Sequence, residues 1–303
     1  MKRTVIIMFL LLAIFVARSE AISNSAGTSG ADFLRIEAGA RHVAMGGTYS
    51  AYGASVFTLY GQPAAIAEKD GYEIGFQYSE WVQGISQQFG GFKAPFLGGK
   101  AAVTFNFLGS NNIEKTTDDA FGRFGVSSGT FGVSDFSGAI HYARRINSKT
   151  AWGIAGRYIR SEIDNISASG FSGDIGIRHN LNEHFSIGAS ATNIGPGLKF
   201  INDRSDLPMT LRIGASYHTG NFLIAGDIAN NGVDNIDAMI GAEWKPTEII
   251  AIRAGYKTQM QSDLNEGLTA GIGLALKSIE FDYAYVPFGP LGDTHRISGS
   301  ISF

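Results

Sequence analysis

There is no cysteine in the 303 residues, which excludes disulfides, thiolate metal sites and a lipid anchor on a cysteine behind any leader. Charge is also scarce, at 17% Asp, Glu, Lys and Arg, and a net charge of −3 without a basic cluster gives no field to hold nucleic acid. The six histidines (His42, His141, His179, His184, His218 and His295) lack the i, i+4 spacing of helical metal ligands and the i, i+2 spacing that a strand would need. Glycine-rich runs supply no phosphate loop: Gly267 to Gly273 sits in a strand pattern, and Met45-Gly46-Gly47 has no lysine behind it. No enzyme and no cofactor is expected. Beyond residue 21 no apolar run approaches the roughly 20 residues of a membrane-spanning helix. A membrane role would therefore have to use strands, whose backbone groups satisfy one another.

What is abundant fits strands. The 40 Gly, 21 Phe and 11 Tyr suit many short strands with glycine and aromatic punctuation. From Gly71 onward nearly every segment alternates, and fourteen strands are expected at 71–79, 85–94, 99–110, 136–145, 150–163, 169–180, 183–193, 207–218, 221–230, 236–245, 248–258, 267–276, 278–286 and 293–303. Val103, Phe105 and Phe107, for example, oppose Thr104 and Asn106. The even-numbered connections are tight, such as Pro95 to Gly98, Leu181-Asn182 and Thr219-Gly220, while the odd-numbered ones run longer, above all 110–135, 194–206, 259–266 and 287–292.

Sorting of loops by parity is the mark of a transmembrane barrel with short periplasmic turns and longer outer loops. The fold class expected is all-β: a 14-stranded antiparallel transmembrane barrel over 71–303, with both ends on the periplasmic side. Outward rows such as Ile250, Ile252 and Tyr256 would form an apolar belt that only lipid can cover. Trp81, Trp152, Trp244, Tyr217, Tyr256 and Tyr285 are expected in an interfacial girdle. Inward rows carry Arg157, Asp174, Arg178, Arg212, Asp227, Glu243, Arg253, Glu280, Asp282 and Arg296. These are expected to form a cross-strand ion-pair lattice that stiffens the barrel, with a solute-selective constriction as the alternative.

Ahead of the barrel, Met1-Lys2-Arg3, the apolar run Val5 to Val16 and Ser19-Glu20-Ala21 read as a signal peptide over 1–21, cut after Ala21. The destination expected is the bacterial outer membrane. Residues 22–70 form a separate N-terminal segment. Within it, Gly30 to Asp70 alternates poorly yet carries Phe33, Leu34, Ile36, Val43, Met45, Phe57, Leu59 and Ile66, which need burial. With the wall complete, the remaining place is the lumen, so the segment is expected to be a plug or hatch, with Arg41 docked onto the acidic lumen residues.

The motif Gly39-Ala40-Arg41-His42-Val43-Ala44-Met45-Gly46-Gly47, the later Leu59-Tyr60-Gly61-Gln62-Pro63-Ala64-Ala65 and the ending Thr294 to Phe303 resemble the PorV/PorQ family of outer-membrane proteins, itself similar to the fourteen-stranded FadL-type transporters. Gln62 stands where that family usually has Asn, and Ala65 where it has Gly. The resemblance implies a role in secretion of the type IX kind or in surface attachment, with secreted cargo or other secretion components as partners. The alternative it implies is passage of hydrophobic small molecules. Outer-membrane lipid and the barrel-insertion machinery are partners of either.

The last strand places Ile297, Gly299, Ile301 and Phe303 on one face and Arg296, Ser298, Ser300 and Ser302 on the other, and ends on an aromatic residue. Phe303 is therefore expected to act as the assembly signal that insertion machinery reads. Deleting it should lower the fraction of heat-modifiable barrel in outer-membrane preparations severalfold while export continues; a normal yield would contradict this.

Overall fold

The computed structural model describes residues 29–81, 84–117, 126–231, 236–258, 267–288 and 292–303, so the candidate leader and the expected loop at 259–266 lie outside the described residues. Among the described residues sixteen strands follow in order: β1 (Glu73–Glu80), β2 (Ser86–Phe96), β3 (Gly99–Thr117), β4 (Val126–Arg145), β5 (Thr150–Ile163), β6 (Ile166–Asn180), β7 (Phe185–Ile194), β8 (Leu198–Phe200), β9 (Asp203–Ser205), β10 (Thr210–Thr219), β11 (Phe222–Asn230), β12 (Ile236–Trp244), β13 (Ile250–Lys257), β14 (Leu268–Leu276), β15 (Ile279–Pro287) and β16 (Asp293–Ser302). All but the small hairpin β8–β9 join one closed antiparallel barrel of fourteen strands.

Closure runs from Glu73↔Ser302 to Glu80↔His295, so neither terminal strand keeps a free edge. Phe303 finishes the seam. Its N–H donates to the Tyr72 carbonyl at 3.0 Å, the Tyr72 N–H donates back at 2.7 Å, and the two rings stack at 5.5 Å.

The barrel is inverted relative to a water-soluble one. Outward residues such as Phe76, Ile140, Phe171, Ile240, Leu268 and Ile297 are exposed, whereas Gln77, Lys93 and Arg178 are fully buried inside. A continuous belt of this kind far exceeds the few hundred Å² a monomer in water tolerates, and hydrocarbon is the environment that suits it.

Two expectations need correction. Residues 110–135 are not mainly loop: β3 and β4 stay paired up to Thr117↔Val126, with bulges near Ile113 and Thr116. Strands β5 and β6 likewise meet at Ile163↔Ile166, leaving only a tight turn. At 19 and 20 residues, β3 and β4 are about twice the length a tilted strand needs to cross a bilayer, roughly 9–11 residues. In sequence their outer parts, 110–117 and 126–135, do not alternate apolar with polar, so the pattern that identifies the membrane portion is missing there. Trp81 is the second correction. It is not in the girdle but turns toward the barrel axis, where its ring lies 4.9 Å from the Arg296 guanidinium.

Residues 29–70 lie inside the barrel as short helical turns, Asp32–Arg35, α1 (Ala40–Ala44), Val56–Tyr60 and Ala65–Glu68, joined by buried loops. Phe33 and Leu34 pack under β8–β9 with Ile159 and Leu198. Leu59, Ala64 and Ile66 pack on Ala102, Ala143 and Ala151 of β3–β5, and Ala40, Val43 and Ala44 on Ala284 and Val286 of β15.

The wall facing this segment is built of the smallest residues. A Cβ added at Gly153 would collide with the Pro63 carbonyl, at Gly176 with the Gln62 side chain, at Gly188 with the Ser50 carbonyl, at Gly241 with Met45 and at Gly255 with the Gly46 N–H. The segment's backbone thus rests on the wall's backbone, which only glycine permits. Gly188→Val should cut the yield of folded barrel or lower its unfolding temperature by at least several degrees. Gly156→Ala, where nothing lies within 4 Å, should be close to neutral. Equal behaviour of the two variants would contradict the docking described here.

Candidate functional site

The site is built outward from the polar anchors that hold the N-terminal segment. Arg178 of β6 is fully buried and donates to the carbonyls of Tyr49 (3.2 Å), Ser50 (3.1 Å), Tyr52 (2.9 Å) and Gly53 (2.6 Å), and to the Glu68 carboxylate (2.9 Å). These carbonyls belong to loops with no helical or sheet partner, and one planar guanidinium with five donors meets the need. Asp227 of β11 does the converse: its Oδ2 accepts from the Tyr49 N–H at 2.7 Å and the Ser50 N–H at 3.1 Å. Arg212 bridges Asp227 (3.2 Å) to the Gly47 carbonyl (2.8 Å).

A second set runs along β12, β13 and β15. Arg41 meets Glu243 with two bonds of 2.9 Å, Arg253 donates to the same carboxylate at 2.6 Å, and Arg253 reaches Asp282 at 2.7 Å. Glu243 and Arg253 are register partners, so their contact follows from strand pairing alone. Arg157 and Asp174 pair at 2.7 Å on β5 and β6. Glu280, at the periplasmic end of β15, is half-buried and stands outside these pairs. Of the motif residues, Ala40 and Met45 are buried, and Gly46 and Gly47 take positive φ, 71° and 78°. Gln62 donates to the carbonyls of Ser50, Ile177 and Ala189 at 3.2–3.3 Å, and Pro63 and Ala64 lie against Gly153. His42 is bonded through both ring nitrogens, to Thr48 and Tyr52 on one side and Thr58 on the other. Burial and then the neighbouring Arg41 charge push it down to about 3, so it is neutral.

On the outer side of the segment is a cavity of about 330 Å³. Tyr60, Trp81, Val43, Val286 and Phe288 give it apolar walls, with Trp81 edge-on to Phe288 at 4.9 Å. Its charged lining is mostly paired: Lys257 lies 3.1 Å from Glu37 and 3.6 Å from Asp237, and Arg35 lies 3.9 Å from Asp32. Burial would raise the Glu37 carboxyl, but the charges of Lys257, Arg296 and Arg212 outweigh it and hold it below the usual carboxylate range. Arg296 differs. It is 2% exposed, donates to the Glu37 carbonyl, covers the Trp81 face, and its Nε has no partner.

Several of these residues escape a sequence reading. Glu37, Trp81 and Lys257 belong to no motif, and the usable signals are that Lys257 shares the inward row of Arg253 and Trp81 that of Gln77 and Ser79. The buried pair Glu73–Lys93, at 3.1 Å, also sits on inward rows and holds the Val56 N–H and the Ala54 carbonyl.

No protein-family model matches the chain, and no curated protein does. Among solved structures it is similar to the toluene transporter TbuX of Ralstonia pickettii (13% identity over 88% of this chain and 98% of that one, TM-score 0.63). It is also similar to the toluene transporter TodX of Pseudomonas putida (12% identity, 88% and 99%, TM-score 0.63) and to a FadL homologue of Pseudomonas aeruginosa (10% identity, 93% and 99%, TM-score 0.58). At these identities the likeness is one of fold: a fourteen-stranded barrel of the FadL type.

Replacing Arg178 by Met keeps much of the volume and strips four carbonyls and a carboxylate of their donor. The expected cost is about 3–5 kcal/mol, the usual penalty for breaking a buried charged network. Limited proteolysis of the detergent-solubilised barrel should then cut within residues 29–70, while the wild type resists; identical patterns would contradict the anchoring role.

Proposed function

We propose that the protein is an outer-membrane transporter of small, largely apolar molecules bearing one anionic group, captured in the cavity between Trp81 and Arg296 above a plug formed by residues 29–70. The observation that carries this reading is Arg296. A buried guanidinium is costly unless an anion pairs with it, and among the described residues no carboxylate lies within ion-pair distance of Arg296. The carboxylate next to it, Glu37, is engaged by Lys257. A ligand anion would complete the Arg296 site, and the aromatic walls would take the apolar body. The cavity volume falls within the range of small-molecule sites, roughly 300–1,000 Å³. The shared fold with barrels described as toluene transporters supports this class of function.

The secretion reading implied by the PorV/PorQ resemblance keeps one observation in its favour. The tall β3–β6 wall offers a protein partner a surface well beyond the membrane. Purification from detergent separates the two: bound small molecules support transport, and stoichiometric secreted proteins support secretion.

Trp81 gives a direct probe of the cavity, since Trp152 and Trp244 lie at the opposite rim. Benzoate should quench its fluorescence saturably, and Arg296→Gln should weaken that binding about tenfold or more, the scale of a lost charge-assisted bond. Toluene should be affected far less by the same substitution. A response that is non-saturable, or that persists in Trp81→Phe, would contradict capture at this site.

A further inference from the structure

On the opposite, periplasmic rim, strands β2–β4 and the end of the N-terminal segment, Ala67 and Asp70, enclose a notch of about 480 Å³. Lys100, Arg144 and Arg145 line it with a single carboxylate, Asp70, a surplus of two positive charges. Lys100 reaches Asp70 at 2.7 Å, and Arg145 donates to the Glu68 carbonyl at 2.7 Å. Arg144 is exposed on the lipid-facing row, its guanidinium beside Gly98, and no carboxylate of the described residues engages it.

The surroundings of Arg144 are those of a membrane interface. It is the register partner of Trp152, and Tyr142, two residues earlier, packs edge-on to Trp152 at 6.0 Å. The Tyr142 hydroxyl donates to the Leu97 carbonyl at 3.1 Å, which fixes the ring over Gly99. Phe96 and Leu97, at the tip of the adjoining turn, are 53% and 76% exposed. Two bare apolar residues at a turn tip are costly in open water but suited to a headgroup layer, and the exposed Ile154 continues the apolar surface toward the membrane centre.

We propose that this rim binds the phosphodiester headgroup of an anionic phospholipid in the adjoining leaflet. Arg144 and Lys100 hold the phosphate, and the acyl chains descend over Tyr142, Trp152 and Ile154. Charge complementarity selects the lipid: a phosphodiester without a compensating ammonium gains from the two-charge surplus, while a zwitterionic headgroup brings its own cation into it. The apolar tip beside the cations favours a lipid over a free anion. The inference rests on the transmembrane barrel fold and not on the transport reading.

The test is native mass spectrometry of the full barrel released from detergent after exposure to equal amounts of phosphatidylglycerol and phosphatidylcholine. Wild type should retain phosphatidylglycerol at least fivefold more often. Arg144→Gln with Lys100→Gln should bring the ratio close to one, and Lys277→Gln, a rim cation elsewhere, should leave it unchanged. Heat-modifiable migration confirms that each variant is folded. Equal retention of the two lipids by wild type, or an undiminished preference in the double variant, would overturn the proposal. So would displacement of the lipid by millimolar inorganic phosphate, which would assign the notch to a free anion, or by an acidic peptide.

Discussion

Backbone-to-backbone contact between residues 44–63 and the glycines of the wall is the constraint on which the rest depends. An inward side chain at Gly153, Gly176, Gly188, Gly241 or Gly255 would push the N-terminal segment off the wall. Alanine gives similarly close contact at Ala102, Ala143, Ala225 and Ala284, each packed against a residue of the segment. With both surfaces so close, no water layer can satisfy the loop carbonyls and N–H groups between them. The wall must supply the partners, and Arg178, Asp227, Glu73, Lys93 and Gln77 do so. Close approach and buried charge therefore arise from one cause: a segment with little regular structure, enclosed in a barrel, has orphaned backbone groups on every side.

That arrangement bears on how the barrel works. A plug held by point contacts with waters between could slide out as a unit. Here its removal would strand Arg178, whose partners all lie in the segment, and would leave the Glu73–Lys93 pair without the Val56 N–H and the Ala54 carbonyl. The cavity above the segment is of a different character, with aromatic walls and the Arg296 guanidinium, whose Nε has no partner among the described residues. Under the proposed transport role, the packed segment and the cavity above it would set the direction of entry, with capture beginning from the outer half.

The strands were legible because one face had to meet lipid and the other had to meet the segment, which leaves a period of two wherever both conditions hold. The β5 bounds, Thr150–Ile163, coincide with those expected, since its ends carry turn residues on both sides. Where they do not both hold the signal fades, and the outer parts of β3 and β4 looked like loop because the run 110–117 is polar and 126–135 is rich in Ser and Gly. The charged inward rows were readable as a set, and the contact between Glu243 and Arg253 follows from register. What was not legible is which charges serve the wall and which serve the segment. Arg178 and Arg157 look alike in sequence, yet one caps four loop carbonyls and the other pairs with its strand neighbour Asp174. Trp81 was misplaced because a tryptophan at a strand end suits a girdle, although the alternation of β1, with Gln77 and Ser79 inward, continues to residue 81 and sets it beside Arg296.

Planar-bilayer conductance of the intact barrel against one lacking residues 30–67 tests most directly whether the N-terminal segment seals the lumen. An eight-residue-or-longer strand array of this number encloses more space than the wall's Gly, Ala and Ser side chains can fill. The intact protein should conduct weakly and intermittently, and the deleted form, checked for heat-modifiable migration, should open large and steady channels. Large steady channels from the intact protein, or no gain in a correctly folded deletion, would contradict it.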